Sequence, residues 1–301
     1  MAPDLKISTL PKSFLLKAST DVVVEKLDQS LKDLIEKQYA SIRLREAMLY
    51  AVLEGGKRFR PLLIKASGDL FGIAFEILLP IAISVELVHA YSLVHDDLPA
   101  MDNADTRRGK PSCWRQFDEA TAILAGDALL TLAFEQLSSF SLDPIVMLEI
   151  IAKFSKAIGP QGMVGGQMLD IAQDHHNNPN LINKLQQLKT GELIAFCCEV
   201  GAIVGHQHPS LKNQLKDVGY KMGLIYQIID DLLDKKAEAD LIGKPCRHDI
   251  NKVTLVDQMG EIEIVERVNS LKQEILTVLT PFESKADLFR DILVWSLERT
   301  F

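Results

Sequence analysis

The sequence predicts an all-α fold built as one large helical bundle, and three observations lead to that fold class. Apolar residues recur at helical spacing through most of the 301 residues. No run of alternating apolar and polar residues, bounded by turn dipeptides, has the pattern of a strand. No internal repeat and no linker rich in proline, serine or glycine divides the chain, so we expect a single domain over residues 1–301.

Helical spacing also predicts the elements in order along the chain. The first helix is expected to begin after a cap at Thr20 or Asp21 and to bury one apolar face. That face consists of Leu27, Leu31, Leu34 and Ile35. A second helix over residues 41–54 should stop at a Gly-Gly pair, and a third should open at Pro61, which suits a first turn. Further helices are expected at approximately 76–98, 118–137, 143–158, 161–174, 181–204, 210–234 and 249–298, the last with a break at Pro281.

Two of these segments are apolar nearly all round, which is typical of helices inside a large bundle. They are Ala120–Leu137 and Leu188–Val204. An apolar fraction of 47% is enough for a sizeable core. The sequence therefore predicts that these two helices are interior.

Charge and hydropathy exclude several classes of partner. The net charge of −8 argues against nucleic acid, because no stripe of lysine and arginine could follow a phosphate backbone. The N-terminus lacks an apolar core of signal-peptide length. The most apolar stretch, Ile77–Val94, is interrupted by Pro80, Glu86 and His89, so we expect no membrane span.

The four cysteines have neither the spacing of a zinc site nor a C-x-x-C motif. Cys197 and Cys198 are expected to be packing thiols within a helix. This usage is typical of a reducing compartment, and we expect a cytoplasmic protein.

A first acidic cluster ends one of the apolar helices. Asp96 and Asp97 lie where the helix dipole disfavours negative charge, and a bound cation would remove that conflict. Asp102 is about 240° from Asp96 around an ideal helix. Pro99 disfavours helix at the residue before it, so the chain should loosen there and turn Asp102 back. The alternative is a solvated acidic helix end with ordinary salt bridges.

A second acidic cluster follows in a late helix. Asp230 and Asp234 are spaced i,i+4 and share a face, as do Gln227 and Asp231. Oxygen ligands without histidine or cysteine favour Mg²⁺, which shares its coordination shell with substrate phosphates. The arginine pair that follows the first cluster, Arg107-Arg108, suits the remaining phosphate oxygens.

With these motifs the chain resembles the trans-isoprenyl diphosphate synthase family, and within it the bacterial farnesyl diphosphate synthases. Six elements match between residues 55 and 255, in the family's order. They are Gly55-Gly56-Lys57-Arg58-Phe59-Arg60-Pro61, the first aspartate motif with Arg107-Arg108-Gly109, Ala125-Gly126-Asp127, Gly165-Gly166-Gln167-Met168-Leu169-Asp170, Lys189-Thr190-Gly191, and Tyr226-Gln227 leading into the second aspartate motif. The resemblance implies a helical bundle around a deep central cavity, and a homodimer.

The resemblance also implies roles for individual residues. Asp96, Asp102 and Asp230 would be the most direct ligands of three Mg²⁺ ions, supported by Asp97, Asp231 and Asp234. The residues that would hold the allylic diphosphate are Arg107, Lys189, Thr190, Gln227, Lys244 and Lys252. Those that would hold isopentenyl diphosphate, without metal, are Lys57, Arg60, His89 and Arg108. The residues expected to carry catalysis are Asp96, Asp102, Lys189 and Asp230.

The implied reaction is ionisation of the allylic diphosphate, condensation with isopentenyl diphosphate, and elimination of a proton. Tyr91 is an aromatic residue five positions before Asp96, and Pro99-Ala100 is an insertion in the first aspartate motif. In both features the chain is similar to the bacterial family members whose product is farnesyl diphosphate (C15). Tyr91 would then form the floor of the product pocket; alternatively, its ring only fills the core. The loop carrying Lys244 and Lys252 departs from the family, since it is short and has Asn251 where glycine is usual.

Three other functions stay open. A longer-chain synthase, making geranylgeranyl diphosphate or above, is the nearest alternative. A terpene cyclase uses similar acidic residues, but the second set of cationic residues would then have no diphosphate to bind. A non-catalytic partner subunit is disfavoured because all six motif aspartates are present.

Overall fold

The computed structural model describes residues 14–53, 55–172, 179–240, 256 and 259–298. Within these ranges the chain is almost entirely helical, which confirms the predicted all-α fold. The helices of the N-terminal half are α1 (Phe14–Glu36), α2 (Ile42–Leu53), α3 (Phe59–Asp69), α4 (Phe75–Asp96), α5 (Cys113–Gln116) and α6 (Glu119–Ser139). Those that follow are α7 (Pro144–Ile158), α8 (Met163–Ala172), α9 (Pro179–Gln186), α10 (Glu192–Val204), α11 (Pro209–Asp240), α12 (Glu261–Leu279) and α13 (Asp287–Leu297).

Helices α4 and α10 lie in the core. Every residue of α10 from Glu192 to Ile203 is buried, which confirms that this segment is interior. Cys197 and Cys198 are 0% exposed on it as free thiols, as predicted. Helix α10 packs against α3, α7 and α11, and α4 packs against α3 and α6. Helix α4 thus carries the first acidic cluster out of the core, and α10 supports α11, which carries the second.

Helix α6 is only partly interior, so that prediction was wrong for one of its faces. Ala125 and Leu129 are 0% exposed, whereas Ile123 is 44% and Leu124 58% exposed. An apolar composition does not distinguish a buried face from an apolar face at the surface.

Two further differences concern helix boundaries. Helix α1 begins at Phe14, and the Thr20 hydroxyl donates to the Leu16 carbonyl inside it, so the predicted cap at Thr20 or Asp21 was wrong. The helix expected over 181–204 is divided by a π-helical turn, Gln187–Gly191. A 3₁₀ turn, Thr280–Ala286, separates α12 from α13 where a break at Pro281 was predicted.

Two helices, α4 and α6, are long and apolar enough to cross a bilayer by length and composition. Two thirds of the apolar window of α4, 67%, is buried inside the protein. The same length and composition occur in core helices of globular proteins. The expected absence of a membrane span stays a prediction.

Candidate active site

The first acidic cluster lies where α4 ends and the chain reverses. The helix stops at Asp96, and the amide of Asp102 donates to the carbonyl of Asp96 at 2.8 Å. Asn103, in the left-handed region with φ 49°, donates to the Leu98 carbonyl at 3.0 Å. The predicted turn of Asp102 towards Asp96 is therefore confirmed.

Asp96 occupies an environment that disfavours its negative charge. The pKa of its carboxyl is raised to about 6. Burial is the largest cause; Lys189 and Arg107 lower the pKa, and Asp102 and Asp97 raise it. A cation between Asp96 and Asp102 would relieve this repulsion. Within the described residues no three histidine, cysteine, aspartate or glutamate side chains form a metal-binding group. The donors nevertheless fit Mg²⁺, which commonly takes one or two carboxylates and completes its shell with water and phosphate oxygens.

Asp97 binds Arg107. Its side chain is only 3% exposed, and Arg107 Nε donates to its two oxygens at 3.1 and 3.2 Å, while Nη2 also donates to Oδ1. Burial raises the pKa of Asp97, and the bonds from Arg107 oppose that rise. Asp97 thus orients an arginine beside Asp96, and its supporting role towards a metal stays a prediction.

A short hairpin directs Arg107 and Arg108 to different partners. Its strands, β1 (Thr106–Arg107) and β2 (Lys110–Pro111), are the two-residue pair that the sequence did not predict. The turn residues Arg108 and Gly109 have φ 53° and 77°, the positive values that a type I′ turn needs. Arg107 reaches Asp97, whereas Arg108 Nη1 donates to the carbonyl of Gly55.

A cavity of about 700 Å³ lies behind this hairpin. It brings together all four residues that the sequence assigned to a metal-free anion site. Its lining comprises Gly55, Gly56, Lys57, Arg58, Phe59, Arg60, Glu86, His89, Arg108, Lys110 and Tyr226. Gly56 has φ 123°, and a Cβ there would be 3.0 Å from Arg108 Nη1, so a side chain would displace that guanidinium.

Sequence reasoning missed the role of Arg58. Its side chain is 4% exposed and pairs with Glu86 at 2.9 Å and with Asp28 at 2.6 Å. Its φ of 46° lies in the left-handed region, which is uncommon for a residue with a side chain. Arg58 therefore lines the cavity with Lys57 and Arg60, but its guanidinium is directed inward to two carboxylates. The spacing of the basic run gave no sign of this difference.

The surroundings of His89 favour its neutral form. Burial lowers its pKa well below 6.5, and Arg60 and Arg108 lower it further. A neutral imidazole can donate one hydrogen bond to an anion while adding no charge to the crowded cations.

The second cluster and its neighbours lie on α11 and the π-helical turn. Gln227 Nε2 donates to Asp231 Oδ1 at 2.9 Å, as their shared face predicts, and Asp230 is half-buried. Lys189 Nζ donates to Asp170 Oδ2 at 2.6 Å, and its charge also acts on Asp96. Thr190 is half-buried in the same turn. Asp170 is the last residue of the motif that begins at Gly165, but no role was predicted for it from the sequence.

Tyr91 is 7% exposed on α4, and its ring lies 5.7 Å from that of His95 in an edge-on arrangement. Burial and the charge of Asp96 raise the pKa of its hydroxyl. The side chain of Asp234, and all of Lys244 and Lys252, lie outside the described residues.

Known proteins resemble this chain in sequence and in fold. The polyprenyl synthetase family matches residues 42–256. A farnesyl diphosphate synthase of Micrococcus luteus is 40% identical over 263 residues, covering 86% of this chain and 90% of that protein. The large subunit 1 of a chloroplastic heterodimeric geranylgeranyl pyrophosphate synthase of Arabidopsis thaliana is 37% identical over 253 residues, covering 81% and 68%.

A crystal structure of an FPP/GFPP synthase from Zymomonas mobilis superposes with a TM-score of 0.84 at 39% identity, covering 93% of this chain and 97% of that one. Its fold agrees with the all-α fold described above. The chain belongs to the polyprenyl synthetase family.

Proposed function

We propose that the chain is a farnesyl diphosphate synthase. It joins dimethylallyl or geranyl diphosphate to isopentenyl diphosphate, releasing diphosphate and, at the end, the C15 product. The observation that carries this function is the cationic cavity beside the first acidic cluster. Lys57, Arg60, His89 and Arg108 line it together, and such a cavity fits a second diphosphate that needs no metal.

Mg²⁺ fits the acidic side of the site. Asp96, Asp102 and Asp230 would bind it directly, with Asp97, Asp231 and Asp234 in support, and the family's precedent is three ions held together with the substrate diphosphate. When bound, the ions neutralise negative charge that develops on the departing diphosphate. Asp96 supports this assignment because burial is the main cause of its raised pKa, and a bound cation would favour the charged carboxylate in that buried position.

The allylic diphosphate is proposed to contact cationic and polar residues around the acidic clusters. These are Arg107, Lys189, Thr190, Gln227, Lys244 and Lys252. Asp97 fixes Arg107, and Asp170 fixes Lys189, so both cations are oriented before substrate arrives. Fixed cations stabilise developing charge without reorganising during the reaction.

Residues of the cationic cavity and of the apolar helices are proposed to bind isopentenyl diphosphate and to exclude water. Lys57, Arg60 and Arg108 hold isopentenyl diphosphate by its phosphates, and neutral His89 donates a hydrogen bond to it. The apolar helices exclude water from the allylic cation while the double bond attacks it. The released diphosphate takes the proton, so no general-base side chain is required.

Product length is assigned to Tyr91. Its buried ring on α4, one turn before Asp96, would block further elongation at C15. The Arabidopsis relative is named as a geranylgeranyl pyrophosphate synthase subunit, which keeps the C20 product as the second candidate. Tyr91→Ala should shift the product beyond C15, read by chromatography of the dephosphorylated alcohols. An unchanged product would remove Tyr91 as the floor.

Five wider properties complete the proposal. The chain works as a single domain over residues 1–301 and as a homodimer. It acts in the cytoplasm, without a membrane span. It binds no nucleic acid.

Turnover of purified protein tests the function. Mg²⁺, geranyl diphosphate and labelled isopentenyl diphosphate should give labelled farnesyl diphosphate. Asp102→Asn should lower kcat at least a hundredfold, about 2.7 kcal/mol in transition-state stabilisation. The matched control is Asp105→Asn, an exposed aspartate of the same loop that pairs with Arg115, and it should stay active. Absence of isopentenyl diphosphate consumption by the wild-type protein would refute the proposal.

A further inference from the structure

We propose that Trp295, on the C-terminal helix α13, is a positioning residue that holds Lys57 at the cationic cavity. The inference rests on the proposed function, because it concerns the site assigned to isopentenyl diphosphate. Trp295 itself is not among the residues that line the cavity.

Three aromatic rings form a row along one side of the cavity. The rings of Trp295 and Phe59 lie 5.8 Å apart with an interplanar angle of 31°, and those of Phe59 and Tyr226 lie 5.1 Å apart at 38°. Phe59 and Tyr226 line the cavity, and Trp295 is half-buried at the outer end of the row. Trp295 of α13 thus packs on Phe59 of α3, which in turn packs on Tyr226 of α11.

Lys57 Nζ lies 5.4 Å from the centroid of the Trp295 ring, within the range of a cation–π contact. Lys57 is exposed and precedes α3, so its long side chain is not fixed by its own backbone segment. Arg60, Arg108 and Lys110 line the same cavity and repel it. An attractive contact is therefore needed to keep the ammonium at the cavity before the anion binds.

A ring suits this purpose better than a carboxylate. Arg58 in the same run is paired with Glu86 and Asp28, and its charge is thereby neutralised. A carboxylate beside Lys57 would compete with the diphosphate in the same way. The π face of tryptophan attracts the ammonium without a net charge, so Lys57 keeps its full charge for the substrate.

A double-mutant cycle separates positioning from packing. Trp295→Leu should raise KM for isopentenyl diphosphate about two- to fivefold, the factor that an exposed cation–π contact supplies. The values of kcat and of KM for geranyl diphosphate should not change, and Trp295→Phe should give a smaller effect. In a Lys57→Met background, Trp295→Leu should leave KM unchanged. An equal effect in both backgrounds, or no effect in the wild-type background, would overturn the proposal.

Fluorinated tryptophans provide a measurement that does not depend on how the leucine variant folds. Successive fluorines weaken the π face while nearly preserving shape, so KM for isopentenyl diphosphate should rise stepwise with their number. The chain has two tryptophans, and any contribution of Trp114 is measured in Trp295→Leu protein carrying the same analogues. A KM independent of fluorination contradicts positioning by the ring.

Calorimetric binding of isopentenyl diphosphate distinguishes this inference from the proposed function. Its affinity for wild-type protein should fall with fluorination by the same factor as KM rises. Binding without turnover would refute the synthase function alone. Turnover with binding unaffected by fluorination would refute the role of Trp295 alone.

Discussion

Arg58 lies in the wall of the cationic cavity and neutralises a buried carboxylate. Glu86 is 5% exposed on α4, and Arg58 contacts it from the segment before α3 while also donating to the Val52 carbonyl at 2.7 Å. Because both charges lose their water shell, such a pair contributes little net stability to the folded state while both partners are present. Removal of one partner leaves an uncompensated buried charge, which destabilises the fold. This residue therefore affects stability more than its position in a basic run indicates.

Arg58→Met should lower the free energy of unfolding by about 3–5 kcal/mol, because Glu86 would lose its counter-charge. Lys65→Met is the matched control: Lys65 pairs with Asp69 one helical turn further along α3, with both groups partly exposed. It should cost less than about 1 kcal/mol. Urea denaturation of the two variants measures the difference. Equal losses would show that the Arg58 pair is no more important than a surface pair.

His89 predicts a pH dependence whose sign follows from its lowered pKa. The unfolded chain binds a proton near pH 6.5, whereas the folded protein does so only at a much lower pH. Unfolding therefore takes up a proton below pH 6.5, and stability falls with falling pH, by up to about 1.4 kcal/mol per unit. Asp96 acts oppositely, since its folded pKa of about 6 is above the ordinary aspartate value of 3.8.

The comparison of wild type with His89→Gln isolates this dependence, because Asp96 is common to both proteins. The stability of wild type relative to the variant should decrease as the pH is lowered from 7.5 to 5. Urea denaturation at each pH, without metal or substrate, gives the difference. A difference that is constant with pH would mean that folded His89 titrates normally.

Side-chain identity predicted the composition of the cavity but not the direction of each side chain. Lys57, Arg60 and His89 could be assigned from their motif and spacing. Arg58 could not, because its inward direction depends on a left-handed backbone conformation and on two carboxylates distant in sequence, Asp28 and Glu86. Long-range pairing of this kind leaves no periodic signal in the chain.

At the scale of elements, helix existence was predictable and helix interruption was not. The period of apolar residues gave helices close to α4 and α7, but it gave a single helix over 181–204 where the structure has α9, a π-helical turn and α10. Such a turn shifts the register by one residue inside an otherwise continuous pattern. The turn carries Lys189 and packs closely on α8. A Cβ on Gly166 would lie 2.2 Å from the Lys189 amide nitrogen, so only glycine permits this approach.

Gly166→Ala should therefore push α8 away from the turn. The obstructing atoms belong to the backbone and cannot rotate aside, and overpacking of this kind costs about 1–3 kcal/mol. Activity should fall with stability, because Lys189 would move relative to Asp96. In Gly191→Ala, by contrast, the nearest atom would be 3.4 Å from the new Cβ and the backbone is already helical, so stability should hold or rise slightly. Thermal unfolding and steady-state kinetics of both variants test this, and an unimpaired Gly166→Ala would contradict it.

At the scale of the whole molecule, the two acidic clusters belong to different helices, α4 and α11, which are distant in sequence. Diphosphate alone would meet carboxylates as well as cations, and Mg²⁺ alone would find too few ligands on either helix. Together they should bind to both clusters and connect the two halves of the bundle. A ligand that binds only the folded state stabilises it by about 2.7 kcal/mol at one hundred times its Kd.

Mg²⁺ and inorganic diphosphate should therefore raise Tm synergistically, by several degrees together and by much less when either is added alone. Asp230→Asn should abolish the synergy, because it removes the proposed ligand on α11 while the cationic cavity remains intact. Asp217→Asn is the matched control, since Asp217 is an exposed residue of the same helix paired with Lys221. Differential scanning fluorimetry with and without each ligand measures all three proteins. Additive shifts in wild type, or synergy that survives in Asp230→Asn, would mean that the two clusters do not share one metal–diphosphate complex.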